Sequence, residues 1–262
     1  MEDLIYDVGM YDGSDTAYYL HRGYRVVAIE ANPPLVDAAR LRFAEAVDSG
    51  RLHLLNIAIH ETPGLDMPFW ISEVATCSSF SEGIATKYGR AVPTRVRTES
   101  FGRILASYGV PKYLKIDIET LDNACIAALD RRDLPQYVSI EAQPDGPETS
   151  LVELCRLGYR KFKIIEQGEF QPLVRYRIAR KHGLAYLLPR LRDRFFSARR
   201  SPPADWSFTL DSSGPLPWET SGRWQSLREL QKDWKRWLPL IDDPVANPGV
   251  SYRPWWDFHA SL

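Results

Sequence analysis

Over its first 165 residues this chain alternates short apolar, β-branched runs with stretches of helical character, and that alternation limits the folds open to it. "LIYDVG" (4–9), "RVVAIE" (25–30), "RLHLLNIAI" (51–59), "YLKIDIE" (113–119) and "YVSIEA" (137–142) each read as a buried strand. Near-continuous apolar runs of this kind suit a parallel sheet covered on both faces. Between them, "SDTAYYLHRG" (14–23) opens on a Ser/Asp cap and closes on Gly23. "NPPLVDAARLRFAEAVDSG" (32–50) opens on asparagine and proline and closes on Gly50, so both stretches predict helices. Strands alternating with helices of about ten residues imply right-handed βαβ crossovers. The expected fold is α/β, a doubly wound, mostly parallel sheet of Rossmann-like type.

Residues 60–110 interrupt the alternation. "LDMPFWIS" and "TRVRTES" predict an extra strand pair, with the polar loop "TCSSFSEG" between them. From about residue 168 the composition shifts. Residues 175–200 carry nine Lys or Arg against one acid, Asp193, and Pro189 breaks any long helix there. That segment reads as a solvated insertion with an apolar underside, as a lid or docking surface for an anionic acceptor such as a phosphorylated sugar or carrier-linked intermediate, or as a surface that touches an anionic membrane. The spacing of Trp224, Trp234 and Trp237 is close to helical and predicts packing. Residues 1–168 are expected to form the core, and 169–262 a basic and tryptophan-rich addition that completes the sheet and caps the substrate side of one compact domain.

Several function classes are disfavoured at this stage. An apolar fraction of 44%, 26% charged residues and a formal net charge of −1 describe a globular chain, not a disordered one. Near-neutral charge gives no general nucleic-acid signal, and the confined cations come with no recognised RNA-binding motif. No apolar run approaches the roughly 18 residues of a membrane span. Cys77, Cys125 and Cys155 form no Cys-x-x-Cys pair, which argues for reduced thiols and against zinc. The acidic start "MEDLIYDVG" enters a strand directly and does not read as a secretory leader. A cytoplasmic location is the expectation.

In an open α/β sheet the ligand lies beyond the carboxyl ends of the strands, where strand order reverses. The loop "DVGMYDGSD" (7–15) is therefore the first place to look. A dinucleotide loop starting at Gly9 needs glycine at positions 11 and 14, and the chain has Tyr11 and Ser14. Tyr11 would stand where a pyrophosphate should pass. A loop spaced Asp-x-Gly-x-x-x-Gly, with Asp7 offering a carboxylate to an ammonium or to loop N–H groups, suits an amino-acid end better. Glu30 closes the second strand, where a carboxylate accepts from both ribose hydroxyls. Asn56 and Ala58 lie where an adenine edge would pass. A ribose carboxylate without a pyrophosphate loop points to S-adenosylmethionine rather than NAD.

With "YDVGMYDGSDT" (6–16), "RVVAIEANP" (25–33), "NIAI" (56–59), "YLKIDIET" (113–120) and "YVSIEAQ" (137–143), the chain resembles the FkbM family of S-adenosylmethionine-dependent methyltransferases. "SSGPLPWET" (212–220) and "WWDFHA" (255–260) are also similar to stretches of bacterial members. Thr120 stands where the family usually has glycine, and Tyr11 where asparagine is common. The resemblance implies a class I methyltransferase fold, with Gly9 and Gly13 under the methionine part, Glu30 on the ribose and Asp117 beside the sulfonium. Asp7, Tyr11, Asn32, Asn56 and Ala58 complete the expected cofactor set. Neighbouring strands lie about 4.8 Å apart, so strand ends carrying Glu30, Gly9 and Asp117 would span roughly 10 Å.

Methyl transfer to an alcohol needs alignment and a base. Asp117 and Glu119 are two apart on one predicted strand, so they share a face if it stays extended. Asp117 either takes the acceptor's proton or only holds the cofactor's amino group. Glu141 and His259 are further catalytic candidates, the latter oriented by Asp257 or else fixing the C-terminus on the core. Ser78, Ser79 and Trp255 are substrate-side candidates. A divalent cation on the acids of "KIDIE" is conceivable but not expected, since no third ligand is evident. The expected activity is O-methylation of a small-molecule or sugar hydroxyl. The rivals are an NAD(P)-dependent oxidoreductase and a non-catalytic binder of the same cofactor.

Overall fold

Tyr6 and Asp7, adjacent on the first strand, set the layering of the protein. Successive strand residues face opposite sides of a sheet. Tyr6 donates to the carbonyl of Gly109 at 2.7 Å and stacks edge-on against Phe101, both at the ends of one helix. Asp7 accepts from Thr16 Oγ1 at 2.6 Å on a different helix. Helices therefore cover both faces, as the doubly wound reading requires. This computed structural model describes residues 3–74, 77–118, 121–142, 148–168, 170, 172, 205–209, 212–241 and 255–262. The basic segment 175–200, Glu119 and Thr120 lie outside the described residues.

The chain divides into two compact units, Met1–Pro135 and Gln136–Leu262. In the first, β1 (Leu4–Val8), β2 (Arg25–Glu30), β3 (Leu52–Asn56) and β7 (Tyr113–Ile116) form a parallel sheet ordered β3-β2-β1-β7. The helices α1 (Ser14–His21), α2 (Pro33–Arg42), α3 (Ala44–Asp48), α5 (Phe101–Tyr108) and α6 (Asp122–Ala127) belong to the same unit. The predicted helix 32–50 is broken at Phe43, which leaves the helical region at φ −112° and ends α2 before α3 begins. The predicted strand 51–59 is likewise split, because β4 (Ala58–Ile59) turns away to pair with β6 (Ala91–Glu99). β6 also pairs antiparallel with β5 (Asp66–Ser72), which is the extra strand pair expected from the sequence. A short helix, α4 (Glu82–Ala85), connects them.

In the second unit, β10 (Trp256–Ser261) runs antiparallel between β8 (Tyr137–Glu141) and β9 (Lys161–Glu166). β8 and β9 are thus each bonded to the last strand. Two helices flank them, α7 (Glu148–Leu157) and α8 (Leu227–Ile241). Trp234 on α8 packs against Trp256 and Phe258. Trp224 precedes α8 and stands instead beside Tyr137, under the ammonium of Lys163 at 4.2 Å. Lys163 is buried and donates to the carbonyls of Pro217 and Thr220 and to Thr220 Oγ1, which fastens the 212–222 loop to β9.

His259 is a core residue of β10, 1% exposed, with Nδ1 against the hydroxyl of Ser139 on β8. This corrects the expectation of a catalytic histidine, because no face of the ring is open to an acceptor. Asp257 does not orient it; its carboxylate receives Gln167 Nε2 at 2.9 Å. Burial, aided by the charge of Lys163, pushes the His259 pKa down to about 3.

Strand order reverses between β1 and β7, and the backbone segments that follow them pass closely there. Gly9, just past β1, has φ +83°, and a Cβ on it would lie 1.8 Å from the carbonyl oxygen of Asp117. Gly23 has nearly the same φ, +84°, but open space around it. Gly23→Ala should then cost about 1 kcal/mol, the ordinary penalty of a left-handed site. Gly9→Ala should cost at least about 2 kcal/mol more, since backbone must move; urea unfolding of the two variants measures the difference.

The pH dependence of the second unit follows from His259. Its folded pKa is depressed, so its contribution is complete above the unfolded value near 6.5 and is lost as pH falls toward about 3. The slope reaches about 1.4 kcal/mol per pH unit. In melts from pH 7 to 4, His259→Asn should flatten the decline relative to the parent chain.

Candidate active site

The registers of the three central strands bring one row of residues to the carboxyl edge of the first sheet. Val8 pairs with Ile29 on one side and Ile116 on the other. The next residues, Gly9, Glu30 and Asp117, therefore stand side by side, and Asn56 pairs with Glu30 on the far side. This row lies at the reversal of strand order, where open α/β sheets take their ligands.

Glu30 fixes the glycine loop as well as facing the crevice. Its Oε2 accepts from the Tyr11 backbone N–H at 2.9 Å and its Oε1 from Asn32 N–H at 2.8 Å. Each carboxylate oxygen has two lone pairs, so each keeps one for a hydroxyl donor. Burial raises the Glu30 pKa, and the two N–H donors oppose that rise. The Ile29 carbonyl receives both Gly9 and Met10 N–H groups, at 2.9 and 3.1 Å. Tyr11 is held at φ +53°, a left-handed conformation uncommon for a residue with a side chain. Gly13 is buried, and a Cβ there would meet the Phe43 ring at 2.8 Å. Its place is to admit Phe43 against the start of α1.

Asp7 corrects an expectation. It is fully buried, and the ammonium it receives belongs to the protein: Lys115 Nζ lies 3.2 Å from Asp7 Oδ1. Lys115 also donates to the Gly9 carbonyl at 3.1 Å and lies 3.3 Å from Asp15 Oδ2 and 3.7 Å from Asp117 Oδ2. Burial works against the charge on Lys115, but Asp7, Asp15 and Asp117 hold its pKa above the ordinary lysine value. Burial raises that of Asp7. The sequence reading missed Lys115, Asp15 and Thr16. One polar side chain inside the apolar run "YLKI" was the available signal.

The other candidates are placed as follows. Asp117 is 34% exposed, just past the end of β7, with its N–H on the Val8 carbonyl. Asn32 begins α2 without a side-chain cap; its Nδ2 faces Ser78 Oγ at 3.5 Å, and its buried Oδ1 has no hydrogen-bond partner among the described residues. Asn56 is exposed and gives its Nδ2 to the carbonyls of Glu30 and Ala31. Ala58 is turned into an apolar cluster with Phe69 and Val96, so its methyl does not line the crevice. The hydroxyls of Ser78 and Ser79 receive the N–H groups of Ser72 and Ser81 and close their own loop. Glu141, in the second unit, ends β8 opposite Asp257, and Trp255 is 57% exposed just before β10.

Comparison with known proteins bears on this site. Residues 7–161 match the family described as the methyltransferase FkbM domain. No curated protein matches the chain by sequence. Among solved structures, the chain is similar to an FkbM methyltransferase from Methylobacillus flagellatus, at 15% identity over 61% of this chain and 39% of that one, TM-score 0.41. It is also similar to a precorrin-6y C5,15-methyltransferase from Geobacter metallireducens, at 10% identity over 100% and 82%, TM-score 0.41. A third is a SAM-dependent methyltransferase from Archaeoglobus fulgidus, at 10% identity over 100% and 86%, TM-score 0.42. The family match takes in β2 to β8, the glycine loop and the Glu30–Gly9–Asp117 row, and the chain belongs to the FkbM methyltransferase family.

Proposed function

We propose that this chain is an S-adenosylmethionine-dependent methyltransferase that methylates a hydroxyl of a small molecule or sugar. The observation that carries the reading is the row of Glu30, Gly9 and Asp117 at the reversal of strand order. The acceptor set fits such a cofactor: Glu30 retains an acceptor site on each oxygen, and Asn32 Oδ1 is a buried acceptor lacking a donor among the described residues. Glu30 would hold the ribose hydroxyls, Asn32 a further nucleoside donor, and Asp117 with the Gly9 backbone the methionine end. When bound, the cofactor supplies an electrophilic methyl group on a sulfonium.

The protein's own work is alignment and proton removal. Fixing the acceptor in line contributes about 7–11 kcal/mol, and a base about 3–5 kcal/mol. Asp117, part-exposed on the lip of the crevice, is the base candidate among the described residues of the first unit. Glu119 is proposed as its partner from the sequence alone. Glu141 remains a candidate of the second unit, and Trp255 an aromatic surface for the acceptor. An anionic acceptor, a phosphorylated sugar or carrier-linked molecule, is the proposed partner of the basic stretch 175–200. No helix among the described residues is long and apolar enough to cross a membrane.

Incubation with methyl-labelled cofactor and extract of the native cells should place the label on a small molecule, as an alkali-stable ether. Calorimetric binding of NADH without binding of S-adenosylmethionine or S-adenosylhomocysteine would reject the reading. Hydrogen bonds to a charged acceptor are worth roughly 1.5–3 kcal/mol each, so Glu30→Ala should weaken S-adenosylhomocysteine binding on the order of tens to hundreds of fold. With an analogue lacking both ribose hydroxyls, parent and variant should bind equally.

A further inference from the structure

Lys115 makes more contacts than its structural duty requires. It occupies the register position beside Asp7 on β7, and both side chains are buried. Neutralising Asp7 needs only the 3.2 Å contact, and Thr16 already serves the other oxygen of that carboxylate. The remaining contacts reach both lips of the crevice. The Gly9 carbonyl at 3.1 Å belongs to the β1 side, and the Asp117 carboxylate at 3.7 Å to the β7 side. Asp15 at 3.3 Å, on the first turn of α1, takes the third direction of the ammonium. One cation thus joins a strand end, a glycine loop and the part-exposed acid that faces the ligand.

Among the described residues, the carboxyl groups of Asp7, Asp15 and Asp117 all lie against the ammonium of Lys115. Asp117, the part-exposed one, attracts a positive ligand. Negative potential that favours a sulfonium over a transition state in which the charge has dispersed slows transfer, because only preferential binding of the transition state accelerates it. A counter-charge beside Asp117 limits that effect.

We infer that Lys115 is a positioning residue for the methionine end of the cofactor: it clamps Gly9 to Asp117 and offsets the carboxylate charge, setting the preference between the sulfonium cofactor and its neutral thioether product. The inference rests on the cofactor reading above. Loosening of the loop weakens both ligands alike, whereas a change of charge alters the ratio of their affinities. That difference separates the role from a merely structural one.

The test is calorimetric titration of the purified full chain with S-adenosylmethionine and with S-adenosylhomocysteine. In Lys115→Met the affinity ratio should move toward S-adenosylmethionine by about ten-fold, as expected for loss of a nearby charge in a partly buried site. Lys115→Arg, which keeps the charge, should leave the ratio within about two-fold of the parent. Asp117→Asn leaves the buried Asp7–Lys115–Asp15 contacts in place and should move the ratio the other way by about ten-fold. Equal weakening of both ligands by Lys115→Met, or an unchanged ratio in Asp117→Asn, overturns the inference and leaves Lys115 as the counter-ion of Asp7. If Lys115→Met does not fold, Lys115→Gln, which removes the charge and keeps a polar side chain, is read by the same ratio. A parent chain that binds neither ligand overturns the cofactor reading, and the inference with it.

Discussion

The first unit depends on one buried ion pair across two strands. Asp7 on β1 and Lys115 on β7 are side by side in register, 108 residues apart in sequence, and sealed from water. Taking two charges out of solvent is costly and is recovered only when the remaining hydrogen-bonding capacity is met. Here it is met: Thr16 bonds the second oxygen of Asp7, and the Gly9 carbonyl and Asp15 complete the ammonium. The pair therefore joins two strands, the first helix and the glycine loop in one polar knot. It lies directly beneath the point where strand order turns back.

Two acids on neighbouring strands show how position decides chemistry. Asp7 lies inside β1 and faces α1, so its charge is spent within the protein. Glu30 is the last residue of β2 and collects two backbone N–H groups from the loop and the next turn. The same functional group is structural in one place and available to a ligand in the other. Asp117 lies between these cases, tied to Lys115 below and part-exposed above.

How much of this was legible in the sequence follows from the range of each interaction. The apolar runs marked the strands because burial on two faces leaves few polar positions. Gly9 and Glu30 were readable because a tight loop and a strand-end acid are local features. Lys115 was not, since its partners are set by which strand lies beside β7, and periodicity is silent on strand order. The break at Phe43 was hidden for a related reason: apolar spacing continues through it, and the interruption is a backbone event. For His259 the sequence left two readings, a catalytic ring or one fixing the C-terminus on the core, and only the strands β8 and β9 on either side of "WWDFHAS" select the second. Ala58 had the same ambiguity, since a small apolar residue suits an adenine face and an apolar cluster alike.

The order of strands in the second unit has a consequence for biosynthesis. β10 leaves the ribosome about 90 residues after β9, yet it lies between β8 and β9 and carries the ladder hydrogen bonds of both. Until it arrives, the facing edges of its two neighbours have no strand to bond, and exposed edges invite pairing with other chains. Closure of this sheet is thus deferred until Trp256–Ser261 has been made, and a nascent chain stalled before Trp256 would be a natural client for a chaperone that shields strand edges.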